Sequence, residues 1–174
     1  PYFQVGLDVA AQSCLVIGGS QEAEDKACRL LDAGATLVVV SPRVTPRLES
    51  LAQENRLLWH RRGFQMDDLA GVHLVVNSVE DTALAEQIYE RACQDRLLIN
   101  SYDQPTYSNF GMAALVHPGP LRISISTSNA SPALASRLRQ DLEQLFDEEF
   151  VEYIDQLSRV RQHLRQQVTD RAAR

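Results

Sequence analysis

Over the first hundred residues, short and almost unbroken apolar runs alternate with stretches whose apolar positions recur at helical spacing. Residues 13–17 (SCLVI), 36–40 (TLVVV), 57–60 (LLWH), 72–76 (VHLVV) and 97–99 (LLI) are of the first kind. Runs like these are what strands buried on both faces require. Between them, residues 21–33 repeat Ala23, Ala27, Leu30 and Leu31. Residues 44–53 carry Leu48, Leu51 and Ala52, and residues 82–94 align Leu84, Ile88 and Ala92 on one face. Gly34 stands at the C′ place where a helix stops. Strands alternating with helices predict a parallel, doubly wound sheet over residues 1–105.

Beyond 105 the pattern changes. Residues 112–116 and 121–126 are strand-like and bracket His117-Pro118-Gly119-Pro120, a turn signal, so an antiparallel hairpin is expected. Ser131-Pro132 supplies an N-cap and a proline at the first helical position, and Leu134, Leu138, Leu142 and Leu145 form one stripe behind it. A second stripe runs through Phe146, Phe150, Tyr153, Ile154, Leu157, Val160 and Leu164. Acids at 147–149 and arginines at 159, 161 and 165 complement a helix dipole, which predicts a separate terminal helix from Asp147. The fold expected is α/β: a Rossmann-like doubly wound parallel sheet (1–105), a small α+β dimerisation module (106–146) and a C-terminal helical segment (147–174). The region after 105 is too thin to bury both stripes, and a homodimer interface is the natural cover.

Composition narrows the function. The 174 residues carry 44% hydrophobic and 23% charged residues, as an ordinary globular chain does. A net charge of −6 disfavours nucleic-acid binding, which needs a basic surface. No apolar run approaches the ~20 residues that span a bilayer. The start, Pro1-Tyr2-Phe3-Gln4, lacks both a signal-peptide pattern and an initiator Met, so a trimmed or processed cytoplasmic chain is expected. Cys14, Cys28 and Cys93 are odd in number and lack CxxC spacing; this fits a reducing compartment and core packing for all three. His60, His73, His117 and His163 are scattered, with no pair at metal-ligand spacing, so no metal site is expected.

Gly18-Gly19-Ser20-Gln21-Glu22-Ala23 lies between a strand and a helix, where a dinucleotide fingerprint belongs. Ser20 takes the place of the second glycine of that pattern, and its hydroxyl either crowds a phosphate or hydrogen-bonds it. The second strand ends in Ser41-Pro42-Arg43 without a ribose-binding carboxylate; Arg43 meets a 2′-phosphate or is a solvated surface charge. The run Ser126-Thr127-Ser128-Asn129-Ala130-Ser131 precedes a helix, as an anion site would, or as a hydroxyl-rich cap would. Asp103 follows the fifth strand, where a carboxylate faces the ligand crevice of an open sheet or simply starts a turn before proline.

Taken in order, these pieces resemble the N-terminal module of siroheme synthase, a precorrin-2 dehydrogenase with sirohydrochlorin ferrochelatase activity in some members. The residues that carry the resemblance are Pro1-Tyr2-Phe3, Val16-Ile17-Gly18-Gly19, Leu30-Leu31 with Gly34-Ala35, and Asn100–Pro105. Further on they are Gly119-Pro120-Leu121, Ile125-Ser126-Thr127, Ala130–Ala135 and Arg137-Leu138-Arg139. The resemblance implies NAD as cofactor, contacted by Gln21, Glu22, Pro42 and Arg43, beside Gly18, Gly19, Ser20 and Ala23 of the glycine turn itself. It implies Asp103 as the catalytic carboxylate and Thr127 near the tetrapyrrole, with Ser126, Ser128, Asn129 and Ser131 of the same hydroxyl-rich run as further candidate substrate contacts. The implied reaction converts precorrin-2 to sirohydrochlorin, with Asp103 as base, and Fe2+ or Co2+ as chelation substrates where metal insertion occurs. Ser20 and Ser128-Asn129 stand where this family usually has glycines. They motivate an alternative, a tetrapyrrole- or metal-binding protein that has lost nucleotide-dependent catalysis; a chelatase alone is a third reading. Arg122, Arg137 and Arg139 are candidate contacts for the substrate's carboxylates.

Overall fold

The computed structural model describes residues 3–128 and 130–167, and the chain divides into two compact units, one reaching Gly111 and the other starting at Met112. In the first unit β1 (Ser13–Ile17), β2 (Thr36–Val40), β3 (Leu58–His60), β4 (Leu74–Asn77) and β5 (Leu98–Ser101) form one sheet in the order β3-β2-β1-β4-β5. Every pairing is parallel, with Val16 opposite both Val39 and Val76. The helices α1 (Gln21–Asp32), α2 (Pro46–Gln53) and α3 (Thr82–Gln94) are the crossovers. The Rossmann-like, doubly wound sheet expected from the alternating pattern is therefore present. Its order reverses between β1 and β4, which opens a ligand crevice at the carboxyl ends of those strands.

The core explains the patterning. Leu15, Ile17, Val40, Val75 and Ile99 from the sheet pack with Ile88 and Ala92 of α3 and with Leu69 and Val72. Gly34 has φ +83°, and the amides of Gly34 and Ala35 bond back to Leu31 and Leu30, closing α1 as expected. Two starts in this unit lie two residues later than expected. α2 begins at Pro46, not Val44, because the Thr45 hydroxyl accepts from the Leu48 amide and caps it. β4 begins at Leu74, not Val72, because the Val72 amide closes a turn onto the Leu69 carbonyl. Among the cysteines only Cys14 is buried; Cys28 is half-buried and Cys93 is exposed on α3, so core packing does not account for all three.

β5 is an edge strand, and the chain covers that edge itself. Asn109 Nδ2 donates to the Leu97 carbonyl, its Oδ1 accepts from the Ile99 amide, and Ser108 Oγ accepts from the Ser101 amide. These side chains replace a sixth strand and fix the tip from which Asp103 projects.

After β3, Arg62 grips Asp68 with two guanidinium bonds of 2.5 and 2.8 Å, and Arg62 Nη2 lies 3.2 Å from His60 Nδ1. The hydrogen bond from Arg62 holds the Asp68 carboxyl below its ordinary range, with the Gln65 amide assisting against partial desolvation. A carboxyl depressed on folding stabilises the protein above its unfolded pKa, and that contribution disappears as pH falls through the lower folded value. Urea midpoints measured from neutral pH downwards should therefore fall on the acid side, and Asp68→Asn should flatten part of that slope. An unchanged slope in the variant would remove the clamp from the stability argument.

In the second unit β6 (Ala114–Val116) and β7 (Ile123–Ile125) pair antiparallel, Leu115 opposite Ser124, followed by α4 (Pro132–Glu143) and α5 (Glu148–Gln167). The hairpin is shorter than the apolar runs suggested. The Gly119 turn packs on α5: a Cβ at Gly119 would stand 2.8 Å from Val151 Cγ1. No residue of α5 is buried, and Tyr153, Leu157, Val160 and Leu164 are all more than 40% exposed.

Candidate functional site

β1 delivers the chain into a turn built around two glycines. Gly18 has φ +109°, and its amide bonds the Val40 carbonyl at 3.0 Å. Gly19 is required by a close backbone approach: a Cβ there would stand 2.0 Å from the Arg43 carbonyl oxygen. That glycine lets the loop after β2 press onto the turn. Ser20 is the N-cap of α1, its Oγ accepting from the Ala23 amide at 3.4 Å, so its side chain is turned back onto the helix. Ala23 is fully buried, as the small residue of a helix seated on a strand must be. The amides of Gly19, Ser20, Gln21 and Glu22 have no partner among the described residues.

The neighbouring strands close around this turn. Ser78, just past β4, donates from both its amide and its hydroxyl to the Ile17 carbonyl. Ser41, just past β2, donates to the Arg43 carbonyl at 2.6 Å, while Pro42 and Arg43 are exposed. From β5, the Tyr102 amide bonds the Asn77 carbonyl, and Asp103 stands exposed at φ +52°. The Tyr102 phenol is pushed up first by the Glu22 carboxylate, then by desolvation, Asp103 and Glu80. The Glu22 carboxylate, in the first turn of α1, thus acts on Tyr102 across some eighty residues of sequence.

Polar atoms remain at the strand tips. Asn77 Nδ2, Ser101 Oγ and Gln104 Oε1 are buried without a hydrogen-bond partner, and Asn77 and Ser101 are paired in register. Unpartnered buried groups cost ~1–3 kcal/mol each, so a polar ligand at this edge has a use for them. With the four open amides at a helix N-terminus, they fit the pyrophosphate and polar groups of a dinucleotide. Sequence reasoning missed Asn77, Ser101 and Tyr102; only register and burial single them out.

A family model described as "Putative NAD(P)-binding" matches residues 5–114. The chain belongs to this NAD(P)-binding family. Its glycine turn, β2 tip and β5 tip all lie within the matched span. The chain is similar to a siroheme synthase of Nitrosococcus oceani, 30% identical over 99% of this chain and 37% of the relative. It is also similar to siroheme synthase 3 of Aeromonas hydrophila, 38% identical over 75% of this chain and 28% of the relative. The chain therefore spans about a third of the length of these curated relatives. Among solved structures it is similar to SirC, a precorrin-2 dehydrogenase, with a TM-score of 0.84 and 27% identity. That match covers 99% of this chain and 85% of the other. The resemblance to a siroheme-synthase module, the fold class and the NAD cofactor read from the sequence are borne out by these likenesses.

In the second unit the hydroxyl loop is occupied with its own backbone. Ser126 Oγ accepts from the Ser128 amide, Thr127 Oγ1 from the Ser131 amide, and Ser131 Oγ from the Leu134 amide. The amides of Ser128 and Ser131 are thereby taken, while the hydroxyls of Ser126, Thr127 and Ser131 keep their hydrogens to donate; Asn129 lies outside the described residues. Arg137 and Arg139 pair with Asp141 and Glu143, and Arg122 donates to the Gly119 and Leu121 carbonyls. A cavity of about 410 Å³ between Pro118 and the start of α5 is lined by Asp147, Glu148 and Glu152, and so repels carboxylates. Among the described residues no His, Cys, Asp and Glu cluster could hold a metal, and no helix is long and apolar enough to cross a membrane.

Proposed function

We propose that the protein is a cytoplasmic precorrin-2 dehydrogenase, oxidising its tetrapyrrole to sirohydrochlorin with NAD. The observation that carries this reading is the glycine turn with open amides at the N-terminus of α1, at the switch point of the sheet, in a chain of the NAD(P)-binding family. The likeness to SirC over nearly the full chain supports the substrate. When bound, the nicotinamide supplies the hydride-accepting carbon. The open amides from Gly19 to Glu22 hold the pyrophosphate, and Pro42 and Arg43 meet the adenosine end. The Asp103 carboxylate takes the ring proton that leaves with the hydride, and accepts pyrrole protons if Fe2+ or Co2+ is inserted afterwards. Ser126, Thr127, Ser128, Asn129 and Ser131 contribute hydroxyl and amide donors to substrate carboxylates.

The reading without nucleotide loses its motive at Ser20, whose side chain caps α1 instead of facing a phosphate. The test is direct: purified protein mixed with precorrin-2 and NAD+ should reduce the dinucleotide and release sirohydrochlorin. Absence of reduction, beside firm sirohydrochlorin binding, would replace the enzyme with a binding protein.

The apolar stripe of α5 is covered by a second copy of the chain. A 20-residue helix with no buried residue, and with Tyr153, Leu157, Val160 and Leu164 exposed along it, offers the kind of apolar face that an interface between copies covers. Sedimentation should give a dimer, and Leu157→Glu should shift it towards monomer. A monomeric wild type would refute the interface.

A further inference from the structure

A chain of side-chain hydrogen bonds joins the first turn of α1 to the start of α2. The half-buried Glu24 carboxylate accepts from Gln21 Nε2 at 3.0 Å on one oxygen and from Thr45 Oγ1 at 2.5 Å on the other. Thr45 Oγ1 in turn accepts from the Leu48 amide and so caps α2. The sense of each bond is fixed. The one hydroxyl hydrogen of Thr45 goes to Glu24, which leaves the hydroxyl oxygen to receive Leu48. Between Gln21 and Thr45 this arrangement needs an acceptor on both arms, and a carboxylate supplies two.

The bridge crosses from one side of the glycine turn to the other. On one side stand the open amides of Gly19 to Glu22 at the start of α1. On the other is the loop after β2, whose Arg43 carbonyl lies so near Gly19 that no Cβ fits between them. Ser41 Oγ, bonded to that carbonyl at 2.6 Å, holds the near end of the loop, and Glu24 holds the far end at Thr45. The position is electrostatically adverse to an anionic ligand. Glu24 lies in the same helical turn as the open amides, so by Coulomb's law alone its charge repels whatever phosphate they receive.

We propose that Glu24 is a positioning residue for the dinucleotide. By bridging Gln21 and Thr45, it fixes the loop that meets the adenosine end against the amides that meet the pyrophosphate. The inference rests on the dinucleotide reading above and deepens it. Bridge and bare charge act in opposite directions: losing the bridge loosens the loop and weakens the ligand, whereas losing the charge alone strengthens it. The sign of the change therefore separates them.

The test titrates the purified full chain with NAD+, followed by calorimetry and by the fluorescence of Trp59. This single tryptophan donates from Nε1 to the Ser41 carbonyl, at the near end of the loop. Glu24→Ala should weaken binding about tenfold and raise KM for NAD+ more than it lowers kcat, a split that a general loss of stability does not produce. Thr45→Val should weaken binding too, and the double variant should bind no more weakly than Thr45→Val alone, because both changes break one bridge. Thr45→Ser, which keeps the hydroxyl, should recover most of the loss seen with valine. Asp25→Ala removes the same charge one residue along, from an exposed side chain paired only locally with Lys26, and should leave affinity equal or slightly higher. Glu24→Ala binding as tightly as wild type or more so, or additive losses in the double variant, would overturn the assignment and leave the dinucleotide site standing. A wild type that does not bind NAD+ would remove the assignment and the dinucleotide reading together.

Discussion

Asp103→Asn is expected to lower kcat for NAD-dependent oxidation of precorrin-2 by about 10²–10⁴-fold, the range that a positioned general base contributes. The substitution isolates the proton acceptor. Asp103 sits in the left-handed region at φ +52°, a conformation that Asn tolerates about as well as Asp, so the backbone need not rearrange. Its tip is held from both sides: the Tyr102 amide bonds the Asn77 carbonyl, and the Gln104 amide returns to the Ser101 carbonyl. Ser108 and Asn109 lock the strand behind it. Melting temperature should therefore stay close to wild type, and the loss should fall on kcat more than on KM, as removal of a group used in the transition state does. A variant turning over within about threefold of wild type would strip Asp103 of its role.

Gly19→Ala is expected to be the most damaging single-methyl change in the first unit. The added Cβ would stand 2.0 Å from the Arg43 carbonyl oxygen and 2.9 Å from both the Arg43 carbonyl carbon and Ser41 Oγ. Two of those three atoms are backbone, so no side-chain rotation relieves the clash, and the loop after β2 must move off the glycine turn. Overpacking of this kind costs about 1–3 kcal/mol or more. The displaced loop carries Pro42 and Arg43, so dinucleotide affinity should fall together with the urea midpoint. Gly63→Ala is the control: no atom lies within 4 Å of the position its Cβ would take, and the midpoint should hold. Equal midpoints for the two variants would mean that the turn is looser than its geometry states.

The sequence by itself determined the alternation of buried strands and amphipathic helices, and with it the parallel doubly wound sheet. Each strand carries its own apolar run, and each helix its own cap and stop; Ser20, Gly34 and Ser131 act through neighbours no more than four residues away. These are local effects, and period and capping chemistry expose them. The direction of the β6–β7 hairpin was legible for the same reason, since the prolines and glycine between the runs allow only a tight reversal.

Tertiary structure alone decided what surrounds the site. Gly19 reads from its motif only as part of a glycine turn, yet the atom that forbids its Cβ belongs to Arg43, reached only after β2 has paired with β1. Asn77 and Ser101 look like ordinary strand-end residues until register sets them side by side with unpartnered polar atoms. Trp59 reads as an ordinary strand residue, yet its Nε1 donates to the Ser41 carbonyl at the end of the neighbouring strand, which it reaches only because β2 and β3 are paired. The physical reason is common to all three: a contact between residues distant in sequence depends on strand order, and strand order is settled by how the whole sheet buries its apolar faces.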